Sequence, residues 1–191
     1  MRLFVAVELE DDAARRVSQI SAQLRQRVEH RAPSARLTWI PPERMHLTVR
    51  FIGEVDERRA EAIRAQLSPP LATPVFDLRL EGTGAFPPRG PARVLWAGVT
   101  QGIDELIALE REASLRLVGC DVPLENRPYR PHLTLARVRD AKGLETAGLF
   151  DGLDEPIDTI PVRTITLFSS RLSPKGPTYL PLQSTGLTWK K

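Results

Sequence analysis

Short strand-like apolar segments alternate along the chain with longer segments whose apolar residues recur at helical spacing. In the first half we predict strands at 3–9, 36–40 and 45–53 and helices at 12–30 and 56–67. The stripe that identifies the first helix is formed by Val17, Ile20, Leu24 and Val28.

The second half follows a similar order of elements. We predict strands at 75–82, 94–100, 132–138, 161–172 and near 178–187, helices at 102–118 and 142–150, and a turn-rich segment at 83–93. The order FVAVEL, helix, HLTV is echoed by VLWAGV, helix, HLTL. We therefore predict one domain over 1–191, with internal repeats at about 3–68 and 94–150 and C-terminal strands that close the sheets. The predicted fold class is α+β: two lobes related by a pseudo-twofold axis, with largely antiparallel sheets, outer helices and a central cleft.

Composition adds a modest preference for a phosphate-rich ligand. The chain has 191 residues, is 41% hydrophobic and 27% charged, and carries a net charge of +3. Only four of its 27 basic residues are lysines, and the arginine fork pairs well with phosphate. No apolar run is long enough to span a bilayer and no signal peptide is evident, so we expect a cytoplasmic protein. The single cysteine, Cys120, lies in an apolar context that indicates a buried thiol.

The pattern that indicates chemistry is His-Leu-Thr-aliphatic, which occurs twice at equivalent positions of the two repeats. Side chains alternate across a strand, so His46 and Thr48 share one face, as do His132 and Thr134. Two histidines on opposite sides of a phosphorus atom can divide the work, since one protonates the leaving oxygen while the other activates water. Threonine hydroxyls can donate hydrogen bonds to the non-bridging oxygens.

A histidine next to a threonine on a strand is commonly structural, but the repetition favours a catalytic pair. The third histidine, His30, ends a helix, where a cation is favoured, and we expect it to be structural or solvated. We expect no metal site, because neither motif has a second ligand at metal-binding spacing. In a regular strand Arg50 and Arg130 point to the same side as the histidines, so they are candidate phosphate contacts. Arg137 points to the opposite side unless a bulge intervenes. Tyr129 and Phe86 are candidates for base stacking.

The doubled motif and its flanking segments resemble the two-histidine phosphoesterase superfamily. Within it, the chain is similar to the RNA 2′,3′-cyclic phosphodiesterases, historically called 2′-5′ RNA ligases. The segments that carry the resemblance are RLFVAVEL, PPERMHLTVRFIGEV, GAFPPRGPARVLWAGV, YRPHLTLARV and LFSSRLSPKGPTY. The resemblance implies a bilobal fold, no cofactor, and hydrolysis of a terminal cyclic phosphate to a 2′-phosphate. It also implies that His46 is the proton donor, that His132 is the proton acceptor, and that Thr48 and Thr134 hold the phosphate.

The sequence leaves other activities open. The same histidines could join a cyclic phosphate end to a 5′-hydroxyl as a side reaction, or act on a small cyclic nucleotide. A non-catalytic RNA-binding module is a third alternative, which intact motifs in both repeats disfavour. The expected partners are RNA 3′ ends with a cyclic phosphate or related nucleotides, and we expect a monomer that does not bind membranes.

Overall fold

A computed structural model describes residues 1–173 and 176–189, so part of the segment LFSSRLSPKGPTY lies outside the described residues. In these ranges the helices are α1 (Asp11–Arg31), α2 (Glu57–Leu67) and α3 (Ile103–Leu117), with 3-10 turns at Pro42–Arg44 and Val118–Cys120. The strands are β1 (Arg2–Glu8), β2 (Arg36–Trp39), β3 (His46–Glu54), β4 (Leu71–Pro74), β5 (Phe76–Phe86), β6 (Val94–Gln101), β7 (His132–Asp140), β8 (Pro156–Val162), β9 (Thr164–Ser173) and β10 (Gly176–Thr188).

The strands form one mostly antiparallel sheet in the order β4-β10-β9-β1-β3-β7-β6-β5-β8, with β2 paired to β7. Its two halves meet where β3 and β7 pair at Leu47 and Leu133. Outward from this junction, β1 lies beside β3 as β6 lies beside β7, and β9 beside β1 as β5 beside β6. The predicted α+β architecture of two similar, largely antiparallel halves is confirmed, and the halves are continuous through this short junction.

The helices cover one face of the sheet. Alternate residues of β1, Leu3, Val5 and Val7, are at most 2% exposed and belong to the core that also contains residues of all three helices. The other face carries a small cluster formed by Phe4, Ala6 and Phe168. One face of the sheet is therefore available for chemistry.

Two helices cross from their own half of the sheet to the other. Helix α1 follows β1 but packs against β8, where Arg16 pairs with Asp158 at 2.7 Å. Helix α3 follows β6 but packs against β3 and β4. On α3, Glu112 accepts hydrogen bonds from the backbone N–H groups of Ala72 and Thr73 at 2.7 and 2.9 Å. The halves are thus joined by helices as well as by the β3–β7 junction.

Local sequence signals account for where α1 and α2 begin and for where α1 ends. Helix α1 has Asp11 and Asp12 in its first turn and His30 and Arg31 in its last, which complements the helix dipole. Helix α2 follows Asp56, whose carboxylate accepts the Arg59 N–H at 2.7 Å. None of the helices in the described ranges is long and apolar enough to cross a membrane.

Several predicted elements need correction. The helix expected at 142–150 is wrong, because this segment consists of turns. The Asp140 carboxylate accepts the Lys142 N–H at 3.1 Å, and Gly143 and Gly148 have φ values of 74° and 65°, which a helix does not allow. The turn expected from residue 83 begins later, because β5 continues to Phe86. The strand predicted at 161–172 is two strands, β8 and β9, and β4 was not predicted.

Candidate active site

The β3–β7 junction brings the two His-Leu-Thr motifs together. Leu47 and Leu133 are opposite each other and fully buried, so the residues on either side of them project from the opposite face of the sheet. Because the strands are antiparallel, His46 lies toward Thr134, and Thr48 lies toward His132. All four side chains are half-buried. The predicted quartet therefore shares one face of the sheet.

Each histidine ring is held by the backbone two residues before it. Nδ1 of His46 bonds the Arg44 carbonyl at 2.8 Å, and Nδ1 of His132 bonds the Arg130 carbonyl at 2.7 Å. A carbonyl oxygen only accepts, so Nδ1 carries a proton in both rings. Nε2 is consequently the atom on each ring that is available to donate or accept a proton.

Aromatic side chains support both rings. His46 packs against Phe4 and Tyr179, with ring centroids 4.9 and 5.2 Å away. Phe86 meets the His132 ring edge-on at 5.1 Å and also contacts Trp96. Phe86, predicted to stack on a base, therefore borders the site and packs on the second histidine.

The surroundings lower the pKa of both histidines below the ordinary value of 6.5. Burial is the main cause, because desolvation disfavours the imidazolium ion. The Arg44 and Arg130 carbonyls partly oppose it, and the positive charge of Arg137 lowers both values further. Glu8 raises the pKa of His46. The two histidines thus have related environments that differ by one carboxylate.

The position of that carboxylate follows from the sheet register. Glu8 is the cross-strand partner of His46, and its carboxylate accepts a hydrogen bond from the Thr166 hydroxyl at 2.6 Å. The cross-strand partner of His132 is Gly98, which has no side chain to offer. The four residues are therefore arranged symmetrically, but only His46 has a carboxylate, that of Glu8, at its cross-strand position.

A bulge at the same point in both motif strands changes the direction of the arginines that follow. On β3 the register with β1 skips Val49, and on β7 the register with β6 skips Leu135. Each skipped residue and its successor are both buried, at 2% and 4% exposure for Val49 and Arg50. Alternation is therefore shifted by one residue beyond each motif.

The bulge reverses the orientations expected for Arg50 and Arg137. Arg50 is buried, donates to the Pro123 carbonyl, and lies 3.6 and 3.4 Å from the carboxylates of Glu110 and Glu125. The expectation that Arg50 points to the same side as the histidines is therefore wrong, and its role as a phosphate contact stays a prediction. Arg137 takes the site-facing position and acts electrostatically on both histidines. Sequence reasoning missed Arg137, although the consecutive apolar pair Leu135-Ala136 is a signal for a bulge.

The remaining candidates lie around His132. Arg130 is exposed, and its carbonyl anchors the His132 ring. Tyr129 is half-buried, and its hydroxyl donates to the Thr48 carbonyl at 2.9 Å. Burial and the nearby Glu110 raise the pKa of the Tyr129 hydroxyl. Tyr129 thus connects the approach to the second motif with the first motif.

Cavities open beside the quartet in the described part of the chain, and two of them border Thr48. One, of about 570 Å³, borders Thr48 and His132 and contains Phe86, Tyr129, Arg130 and the buried Arg50. The other, of about 490 Å³, borders His46 and Thr48 and contains Arg137. Away from both cavities, Cys120 is buried, as predicted, and His30 is exposed at the end of α1.

Comparison with known proteins finds relatives over nearly the whole chain. The protein named RNA 2′,3′-cyclic phosphodiesterase from Archaeoglobus fulgidus is 34% identical over 184 residues, which is 96% of this chain and 98% of that protein. The protein of the same name from Thermotoga maritima is 31% identical over 180 residues, 94% of this chain and 91% of that protein. The crystal structure of Escherichia coli LigT complexed with 3′-AMP has a TM-score of 0.71 and 26% identity, over 98% of both chains.

The fold and the paired motifs thus place the chain among LigT-like phosphoesterases. A family model described as the 2′-5′ RNA ligase superfamily matches residues 9–171, and the chain belongs to that superfamily. The resemblance seen in the sequence is confirmed. The predicted enzyme class agrees with the name that these relatives carry.

Proposed function

We propose that the protein hydrolyses the 2′,3′-cyclic phosphate at an RNA 3′ end to a 2′-phosphate by general acid–base catalysis. The observation that carries this proposal is the pairing of two histidines, each held through Nδ1, with two threonines on one face of adjacent strands. The names of the family relatives support cyclic phosphate hydrolysis.

His132 is the proposed base and His46 the proposed acid. Nε2 of neutral His132 takes a proton from water as the water oxygen bonds to phosphorus. The bond from phosphorus to the 3′-oxygen breaks, and Nε2 of protonated His46 gives its proton to that oxygen. The products are a 3′-hydroxyl and a 2′-phosphate, and exchange with solvent restores both rings.

The asymmetry at Glu8 supports this assignment. A carboxylate near His46 favours the imidazolium form that an acid needs, whereas His132 faces Gly98. Thr48 and Thr134 are proposed to donate hydrogen bonds to the non-bridging oxygens, where negative charge grows. Arg137 supplies positive charge near the same position.

The testing experiment is an assay on an oligoribonucleotide that ends in a 2′,3′-cyclic phosphate, with the product identified by ³¹P NMR. A 2′-phosphate supports the proposal, whereas a 3′-phosphate reverses which oxygen leaves. Affinity without turnover would instead support a binding module. A joined strand in the presence of a 5′-hydroxyl oligonucleotide would reveal ligation.

The roles of the two histidines are separated by an ester whose leaving group departs without protonation. On that substrate His46→Ala should recover most of its lost turnover, because the acid is no longer needed. His132→Ala should stay inactive, because water still needs a base. Recovery of His132→Ala alone would exchange the two roles.

A further inference from the structure

The cavity that borders both His46 and Thr48 has the charge and surface chemistry of a nucleic-acid strand site. We call it the arginine groove and define it by Arg2, Arg44, Arg137, Arg139, Phe51 and Tyr179. It borders His46 and Thr48, so a ligand in the groove continues directly into the proposed reaction centre.

Within residues 1–173 and 176–189, the groove arginines are not paired with acidic side chains, unlike several arginines elsewhere on the surface. Arg15, Arg25 and Arg64 each lie within 2.8 Å of a carboxylate oxygen. Among the described residues, by contrast, no carboxylate lies within 4.0 Å of any of the four groove arginines. Two of them donate hydrogen bonds to neutral oxygens: Arg44 donates to the Pro177 carbonyl at 2.9 Å, and Arg139 donates to the Thr38 hydroxyl at 3.2 Å. The groove therefore concentrates positive charge that acidic side chains do not neutralise.

An exposed aromatic ring lies among these charges. Phe51 is 44% exposed, and the Arg2 guanidinium lies over its ring at 4.9 Å from the centroid. A phenyl face that is open to solvent and flanked by cations offers stacking for a base beside contacts for its phosphate. A bulge after the motif directs Phe51 to this face, as it directs Arg137 on the other strand.

The cavity beside His132 has a mixed charge. It contains Arg127 and Arg130 but also the carboxylates of Glu110 and Glu125, which lie close to the buried Arg50. Carboxylates repel a phosphodiester backbone, so this second cavity is the poorer path for a strand.

We propose that the arginine groove binds the RNA strand on the 5′ side of the reacting nucleotide, with a base stacked on Phe51 and backbone phosphate on the arginines. The preferred substrate is then an oligoribonucleotide rather than a cyclic mononucleotide. This inference rests on the proposed function, because that function places the terminal cyclic phosphate at His46 and Thr48.

The kinetic test compares a 2′,3′-cyclic mononucleotide with an oligoribonucleotide that ends in the same cyclic nucleotide. Wild type should have the higher kcat/KM on the oligonucleotide. Arg139→Gln should remove much of that advantage by raising KM and should leave mononucleotide turnover unchanged. Phe51→Ala should raise KM on the oligonucleotide about fivefold or more, and by less on the mononucleotide. Arg25→Gln on the exposed face of α1 is the matched control and should change neither substrate. Equal kcat/KM on both substrates in wild type would contradict strand binding in the groove. Equal losses of kcat/KM on both substrates in the variants would contradict it as well.

A binding measurement decides the groove independently of catalysis. Fluorescence anisotropy follows a labelled oligoribonucleotide with a 2′-phosphate end over a range of salt concentrations. Arg139→Gln should reduce the slope of log K against log salt by about 0.7, the value for one phosphate contact to a single strand. If the slope matches that of Arg25→Gln, the groove does not bind the strand. If wild type binds the strand with the expected slope but hydrolyses neither substrate, the proposed function fails and the groove stands.

Discussion

At the scale of residues, the proposed proton transfers depend on two histidines whose Nδ1 atoms are hydrogen-bonded to backbone carbonyl oxygens. This leaves one nitrogen on each ring for proton transfer, without a choice of tautomer. The threonines offer hydrogen bonds but transfer no proton in the proposed reaction. The four residues should therefore differ in what their removal costs.

We expect His46→Ala and His132→Ala to lower kcat by about 10²–10⁴-fold each on RNA cyclic phosphate, with a smaller change in KM. Thr48→Ala and Thr134→Ala should cost less, because each removes one hydrogen bond. Steady-state kinetics on variants whose circular dichroism matches wild type measure these effects. Near-wild-type turnover of either folded histidine variant would contradict the assignment.

The pH dependence tests the electrostatic part of the site. Because burial and Arg137 lower the pKa of both histidines, the bell-shaped kcat/KM profile should be centred below about 6.5, the ordinary histidine value. Replacing Arg137 with Gln removes a charge that disfavours both imidazolium ions. Both pKa values should rise, and both limbs should move to higher pH.

Arg137→Lys, which keeps the charge, is the matched control and should leave the limbs close to wild type. The limbs are macroscopic constants of the coupled pair, so the prediction concerns their common direction. Movement of a single limb in Arg137→Gln would show that this arginine acts on one histidine alone.

At the scale of elements, one glycine on β5, Gly84, makes room for the aromatic support of His132. A Cβ atom at Gly84 would lie 2.4 Å from Cζ2 of Trp96, whose ring contacts Phe86. Phe86 in turn meets His132. The space above Gly84 is therefore connected to the His132 ring through two aromatic side chains.

Gly84→Ala should displace the Trp96 ring and destabilise the protein by about 1–3 kcal/mol. We also expect a loss of kcat, because the ring beside His132 moves. Chemical denaturation with tryptophan fluorescence measures the first effect and the oligoribonucleotide assay the second. Gly186→Ala on β10, where a Cβ meets nothing within 4 Å, is the control. Equal stabilities of the two variants would show that the Trp96 ring is not tightly held.

Helix α3 secures β4 through one carboxylate. Glu112 accepts from the N–H groups of Ala72 and Thr73, and from the Thr73 hydroxyl at 2.8 Å. Burial alone would raise the pKa of Glu112, but these bonds and Arg116 outweigh it and lower the value. A lowered folded pKa means that the stabilisation is present above the unfolded pKa and is lost as pH falls through the folded pKa.

Glu112→Ala should therefore lower the free energy of unfolding by about 1–3 kcal/mol at neutral pH, because it leaves two backbone donors without their acceptor. The difference from wild type should shrink in acid. Denaturant titrations at several pH values measure this, with exposed Glu145→Gln as the control. A difference that does not change with pH would mean that the Glu112 charge contributes little.

The elements that could be predicted from the sequence are those with a local cause. The stripe on α1, the cap at Asp56 and the alternation in β3 and β7 each depend on neighbouring residues alone. The turns at 142–150 were misassigned, because Asp140 and two glycines outweighed an apolar spacing. Strand β4 has only four residues and depends on β10 and Glu112, which are distant in the chain.

The candidate site, like the fold, could be predicted only where the cause is local in the sequence. The quartet was predictable because both motifs repeat and alternation places each histidine beside its threonine. Arg50 and Arg137 were not, because the bulge that orients them is read from the register with β1 and β6. Glu8 likewise becomes relevant only when β1 is placed beside β3.

For the molecule as a whole, the proposed reaction uses only proton transfer and hydrogen bonds from side chains. We therefore expect turnover to persist in excess EDTA. The measurement is the oligoribonucleotide assay after extended dialysis against chelator, with and without added divalent ions. Abolished activity that a metal ion restores would contradict the two-histidine mechanism.

The crossing of α1 and α3 has a consequence for how such a molecule can be divided. Each half of the chain lends a helix to the other half's strands, so neither half can complete its own core alone. A cut in the turn between β5 and β6 should give two fragments that are incompletely folded apart and regain activity when mixed.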